Sequence, residues 1–156
     1  MSQERAGIDL DSSLGYLLKE ASSALRIAME DVLRPLGMNV TRYSCLELLA
    51  QRPGLSNSDL ARGAFVTRQS MNVLLQALER EGYVTRAAEA PVGRALPTEL
   101  TPRGRALLAQ ATAAVRSVEV RMLRELTESE QAQAYRALRS MVRSLREGDD
   151  RNPDAV

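Results

Sequence analysis

The stretch from Ser56 to Gly82 constrains this chain more than any other. Ser56 and Asp59 make up the two halves of a helix-opening capping box, and Thr67 is placed to cap another helix after a brief turn around Phe65 and Val66. In that following helix Met71, Leu74, Leu75 and Leu78 repeat at the spacing of one buried stripe, and Gly82 ends it. The first helix ends near Ala64. Two short helices joined by so brief a turn, the second with a polar N-terminal half, have the layout of a helix-turn-helix.

The flanks read as further helices and one hairpin. Between Asp11 and Arg34, apolar residues at Leu14, Leu17, Leu18, Ala21, Leu25, Ala28, Val32 and Leu33 predict a long amphipathic helix, stopped by Pro35 and Gly37. Thr41 is the expected N-cap of the next helix, which runs to about Gln51 with Leu46, Leu49 and Ala50 inward and closes at Pro53-Gly54. Residues 83–86 and 95–100 are expected strands joined by a loop containing Pro91 and Gly93, a β-hairpin. Thr101-Pro102 then opens a helix with Leu107, Ala111, Ala114, Val115, Val118, Met122 and Leu126 on one face. Thr127 and Glu130 form the capping box of a last helix bearing Ala132, Tyr135, Leu138, Met141, Val142 and Leu145. The order is four helices, a hairpin and two helices, in a fold that is mainly α.

Composition agrees and excludes several classes. At 156 residues and 44% hydrophobic content, the chain fits one domain with a core that needs no disulfide or metal. Its 3% aromatic content favours helix over strand. With no histidine and a single cysteine, Cys45, neither a Ser-His triad nor a histidine or thiolate zinc site can be assembled, and no Walker or Rossmann glycine loop is present. No enzyme activity, metal or cofactor is expected. The polar segment from Met1 to Gly7 lacks the apolar core of a signal peptide, and no uncharged apolar run approaches the roughly 18 to 20 residues that span a bilayer, so a cytoplasmic location is expected.

The net charge of +1 conceals an uneven distribution. From Arg62 to Arg105 seven arginines face four glutamates, a local excess of +3, whereas residues 1–40 carry −2 and the remaining segments balance. A basic segment of this kind attracts phosphates through its local field. Its centre is the helix beginning Thr67-Arg68-Gln69-Ser70. With 71, 74, 75 and 78 buried, the outward residues are Arg68, Gln69, Asn72, Val73 and Gln76. Arginine pairs bidentately with guanine, and asparagine or glutamine with adenine. The same residues are also compatible with a solvated face on an amphipathic helix; the surrounding helices and hairpin favour DNA reading.

Several motifs in order resemble regulators of the MarR family. They are Gly54-Leu55-Ser56-Asn57-Ser58-Asp59-Leu60-Ala61, Val66-Thr67-Arg68-Gln69-Ser70-Met71, Leu78-Glu79-Arg80-Glu81-Gly82-Tyr83-Val84-Thr85-Arg86, Gly93-Arg94-Ala95 and Leu100-Thr101-Pro102-Arg103-Gly104. The resemblance implies one MarR-like domain: a winged helix-turn-helix over about residues 41–101, with a helical dimerisation region from about 8–36 and 103–147. It implies a homodimer that binds a palindromic double-stranded DNA site, with one recognition helix per subunit in the major groove and a wing at the minor groove. The DNA-contacting set is then Thr67, Arg68, Gln69, Asn72, Val73 and Gln76, with Arg86 and Arg94 on the hairpin. Arg94 matches the family's wing-tip arginine, suited to a narrow minor groove with its concentrated negative potential. Here Pro91 and Val92 stand before it, where the family often has an aspartate. Val73 occupies a position that many relatives fill with a polar or basic residue; its methyls are equally suited to a thymine methyl or to packing on the hairpin.

The resemblance further implies a repressor released by a small aromatic or lipophilic effector, bound between the dimer region and the winged domain. Tyr16, Arg42 and Tyr43 are the candidates to line that site. A peroxide-sensing alternative falls on Cys45, but the sensing cysteine of such relatives lies near the start of the first helix, and a cysteine beside Leu46 reads as core. Another rival, a winged module that grips protein, is separated by salt: phosphate neutralisation gives a steep fall of log affinity with log salt.

Overall fold

The computed structural model of the chain describes residues 7–86 and 98–149. Its elements are α1 (Leu14–Leu33), a short 3-10 turn (Arg34–Leu36), α2 (Val40–Gln51), α3 (Asn57–Gly63), α4 (Arg68–Arg80), β1 (Val84–Arg86), β2 (Thr98–Leu100), α5 (Pro102–Leu123) and α6 (Glu128–Asp149). The chain divides into two compact units, one ending at Val118 and one beginning at Glu119. Among the described residues no helix is long and apolar enough to cross a membrane.

Side chains that accept the first free N–H groups decide where the helices begin. Ser13 opens α1, its Oγ accepting the Tyr16 N–H at 3.2 Å. The start is therefore later than Asp11, whose own N–H is held by the Asp9 carboxylate. At α2 the expected cap, Thr41, is displaced. Asn39 is extended and its Oδ1 takes the Arg42 N–H at 2.8 Å, while Glu30 reaches from α1 to accept the Val40 N–H at 3.1 Å. Those two acceptors satisfy donors that a helix cannot satisfy internally, so Thr41 falls inside the first turn. The box opening α6 forms reciprocally: the Thr127 N–H donates to Glu130 at 3.1 Å and the Glu130 N–H to Thr127 Oγ1 at 3.2 Å. The Thr127 N–H first, and the Thr127 hydroxyl after it, hold the Glu130 carboxyl below its usual range.

The core of the first unit draws on nearly every element. Leu33, Leu46, Leu60, Met71, Leu75, Leu78 and Val84 are fully buried. On α2 the buried stripe is Cys45, Leu46 and Leu49, and Ala50 is exposed, contrary to the inward position expected of it. Cys45 and Leu49 stand one turn apart and centre the stripe, which rotates Ala50 out of it. The inward residues of α5 include Gly104, Leu108 and Ala111.

β1 and β2 pair antiparallel in the register Val84 with Leu100, Thr85 with Glu99 and Arg86 with Thr98. Tyr83 stays outside the strand because its N–H closes the end of α4 on Leu78 O at 2.9 Å. Its carbonyl accepts the Thr101 N–H at 3.1 Å. Thr101 Oγ1 donates to Gly82 O at 2.6 Å and accepts the Gly104 N–H at 3.0 Å, which fastens the start of α5 to the end of α4. The expected strand residues 95–97 and the loop bearing Pro91 and Gly93 lie outside the described residues.

α1 and α6 each carry a run of apolar residues that their own unit leaves open. Leu14, Leu17 and Leu18 of α1 are exposed in the first unit, and Tyr135, Leu138, Met141, Val142 and Leu145 of α6 in the second.

Candidate nucleic-acid interface

The site is built on α3, its turn and α4. Ser56 Oγ accepts the Asp59 N–H at 3.1 Å and donates to the Asp59 carboxylate at 2.9 Å. That hydroxyl contact, followed by the Arg62 guanidinium, lowers the pKa of Asp59. Thr67 Oγ1 accepts the Ser70 N–H at 3.1 Å and so opens α4. Met71, Leu75 and Leu78 turn inward, whereas Arg68, Gln69, Asn72, Val73 and Gln76 are all exposed on α4. The N-terminal turn of a helix carries a partial positive charge, and Arg68 in that turn adds a full one. Val73 is 60% exposed, which leaves its methyls available to a partner. Of the arginines between 62 and 105, Arg62, Arg68, Arg80, Arg103 and Arg105 are exposed, so most of the basic excess reaches solvent. Arg103 stacks over the Tyr83 ring at 4.9 Å.

Arg86 is placed differently. Strand alternation puts it on the same side as buried Val84, with its side chain only 19% exposed and its Nε 3.9 Å from Glu79. Buried Nε and Nη2 find no hydrogen-bond acceptor among the described residues. The structure thus sets Arg86 against the protein interior and off the outward face of α4, with Glu79 as its nearest described carboxylate. Arg94 lies outside the described residues.

The three expected effector residues have different surroundings. Arg42 is engaged with Glu81 at 2.7 Å, and Tyr16 is exposed on α1. Tyr43 lines a shallow cleft of about 200 Å³ with Ser44, Glu47, Leu48, Gln51, Arg52 and Gly63. Glu47 in that cleft accepts from Thr112 of α5 at 3.1 Å. Cys45 is fully buried, with its thiol directed at the Met71 sulfur at 3.7 Å. Burial pushes its pKa up to about 12, only partly opposed by the charge of Arg86. A peroxide sensor reacts as thiolate, and this site withholds it.

Two features are not legible in the sequence, one a steric necessity and one a backbone exception. A Cβ on Gly104 would stand 2.1 Å from Tyr83 O, so α5 can start where it does only with glycine there. Phe65, passed over as part of a turn, has φ 59 and is 87% exposed.

Two short helices across a tight turn, backed by an antiparallel hairpin, define a winged helix-turn-helix protein. The MarR family model matches residues 36–95. The chain is 44% identical over 135 residues to the HTH-type transcriptional repressor Rv2887 of Mycobacterium tuberculosis, covering 86% of this chain and 97% of that protein. Among solved structures, Rv2887 in complex with salicylic acid superposes with a TM-score of 0.70 at 44% identity, covering 84% of this chain and 97% of that one. Rv2887 in complex with DNA gives 0.70 at 42% identity, covering 84% and 98%. The DNA complex of MepR from S. aureus gives 0.75 at 25% identity, covering 86% and 98%. This chain belongs to the MarR family of winged helix-turn-helix transcriptional regulators.

Proposed function

We propose that the chain is a homodimeric repressor that binds a palindromic double-stranded DNA operator through α4 and is released by a small aromatic acid. The observation that carries this reading is the division of α4: Met71, Leu75 and Leu78 are buried, Leu74 packs half-buried beside them, and every base-reading candidate on the helix is exposed. On this reading Arg68 pairs with guanine, Gln69, Asn72 and Gln76 supply amides for adenine, and Val73 meets a thymine methyl. Thr67 fixes the first turn, Arg86 braces the hairpin, and Arg94 enters the minor groove from the wing. Residues 41–101 read DNA, while 8–36 and 103–147 dimerise. The exposed leucines of α1 and, separately, the exposed apolar residues of α6 support that division, since an apolar helix stripe left open to solvent marks an interface.

Release requires an effector that binds the DNA-incompetent spacing of the two winged domains better than the competent one. The relative crystallised with salicylic acid supports an aromatic carboxylate. Tyr43 offers a ring, and Tyr16 a further one on α1. Arg42 offers a cation to a carboxylate that displaces Glu81. A regulator of this kind works in the cytoplasm, where the DNA is.

Footprinting the purified protein on the promoter regions around its own gene tests the proposal. Two protected half-sites roughly one helical turn apart are expected, with log affinity falling linearly against log salt. A monomer indifferent to duplex DNA at low ionic strength would overturn it.

A further inference from the structure

Three elements of this chain stop in the same way. At the ends of the 3-10 turn, α3 and α4, one residue enters the left-handed region and the next N–H reaches back over the turn: Met38 to Leu33 O at 3.2 Å, Val66 to Ala61 O at 3.0 Å and Tyr83 to Leu78 O at 2.9 Å. The left-handed residues are Gly37 (φ 68), Phe65 (φ 59) and Gly82 (φ 82). A Cβ in this conformation crowds the following carbonyl, which is why the motif favours glycine. Phe65 is the sole non-glycine residue with positive φ among the described residues. Burial returns nothing for that strain. At 87% exposure it is the most exposed large hydrophobic side chain described. The turn has its apolar anchor already in Val66, which packs against the core. Neither the turn nor the core accounts for a phenyl ring here.

Its position does. Phe65 stands two residues before Thr67, the cap of α4, and three before exposed Arg68. In a docked helix-turn-helix the N-terminal end of the second helix meets the base edges, so a side chain leaving the turn just ahead of it meets the edge of the groove. We propose that Phe65 is a DNA-contacting residue whose ring packs on apolar carbon of the duplex, a deoxyribose of the groove wall or a thymine methyl. The proposal rests on the reading of α4 as the DNA-reading helix and continues that surface by one uncharged side chain. Because the ring neutralises no phosphate, its contribution belongs to affinity and leaves the salt dependence unchanged.

The test uses the full-length protein and a duplex that it selects from a random pool. Phe65→Gly and Phe65→Asn both tolerate the left-handed backbone, so each is expected to melt at or above the wild-type temperature. Each is expected to bind the selected duplex roughly five- to tenfold more weakly for loss of apolar contact, with an unchanged log–log salt slope. Replacing thymine by deoxyuridine in the duplex locates the contact: a deficit that shrinks assigns the methyl, and one that persists assigns the sugar. Both variants binding like wild type while Arg68→Ala is impaired would overturn the role of Phe65 and leave the α4 reading intact. A change in assembly mass without a change in DNA affinity would likewise overturn it, by assigning the ring to a contact between chains. Failure of the wild type to select any duplex would instead overturn the reading of α4.

Discussion

Arg42 in the first turn of α2 holds its Nη2 2.7 Å from Oε2 of Glu81, the residue that caps the last turn of α4. Alone, a carboxylate at that end of a helix faces the negative pole of its dipole, and the guanidinium offsets this. The Arg42 side chain is 19% exposed and that of Glu81 45%. Exposed pairs contribute little, but removing the acid here leaves a largely desolvated cation without its partner. Glu81→Gln is expected to lower stability by about 1 kcal/mol, after allowance for solvent screening and relief at the helix end. Urea unfolding at constant m-value checks this. An unchanged midpoint would show the pair to be fully screened.

Gly104 is expected to resist substitution more than any other glycine described. The missing Cβ would meet Tyr83 O at 2.1 Å, and that carbonyl is backbone, already accepting the Thr101 N–H. Neither side can yield without separating α5 from the end of α4. Overpacking of this kind costs roughly 1 to 3 kcal/mol, which exceeds the propensity gain of about 1 kcal/mol from replacing glycine by alanine in a helix. Gly104→Ala should therefore lower the thermal midpoint. A midpoint at or above wild type would show that the junction relaxes freely.

The parts of the fold written in adjacent residues were legible in the chain. Ser56 with Asp59, Thr67 before Arg68, and Thr127 with Glu130 each cap within three residues, and all three form as read. What the chain leaves illegible depends on partners distant in sequence. Thr41 loses the cap of α2 partly because Glu30 arrives from α1. Arg42 is claimed by Glu81 from the far end of α4, and the need for glycine at 104 exists only once Tyr83 is brought against it. Arg86 was recoverable, since the alternation starting from Val84 turns it inward. The outward face of α4 was readable because its buried stripe is regular. Phe65 was not, because turn rules lead one to expect glycine there.

Cys45 is expected to be inert in the folded protein. Its thiol is buried beside Met71, and its pKa rises from 9.0 to about 12 mainly by desolvation. Thiolate is thus disfavoured in the native state and available in the unfolded one. The associated stability is fully present below about pH 9 and is lost as the pH climbs toward 12, with a slope of at most about 1.4 kcal/mol per pH unit. A disulfide-exchange reagent should leave the native thiol unmodified at pH 7 and label it in urea. The stability difference between wild type and Cys45→Ala should narrow as the pH is raised from 9 to 11. Rapid labelling of the native protein would contradict the burial on which this rests.

Arg68 offers the sharpest test of base reading. It is exposed at the first position of α4, where the helix end adds positive potential and the Thr67 cap fixes the backbone that carries it. A bidentate arginine–guanine pair is worth roughly 1 to 3 kcal/mol of discrimination against the wrong base. Arg68→Ala should therefore weaken operator binding by about that amount and relax preference at one base pair in each half-site. An arginine that only neutralises a phosphate behaves otherwise, weakening all sequences equally and lowering the salt slope by about one. Binding of the variant to a selected duplex and to single-base variants of it, across a salt series, separates the two. A uniform loss with a reduced slope would move Arg68 from the bases to the backbone, and equal affinity would remove it from the interface.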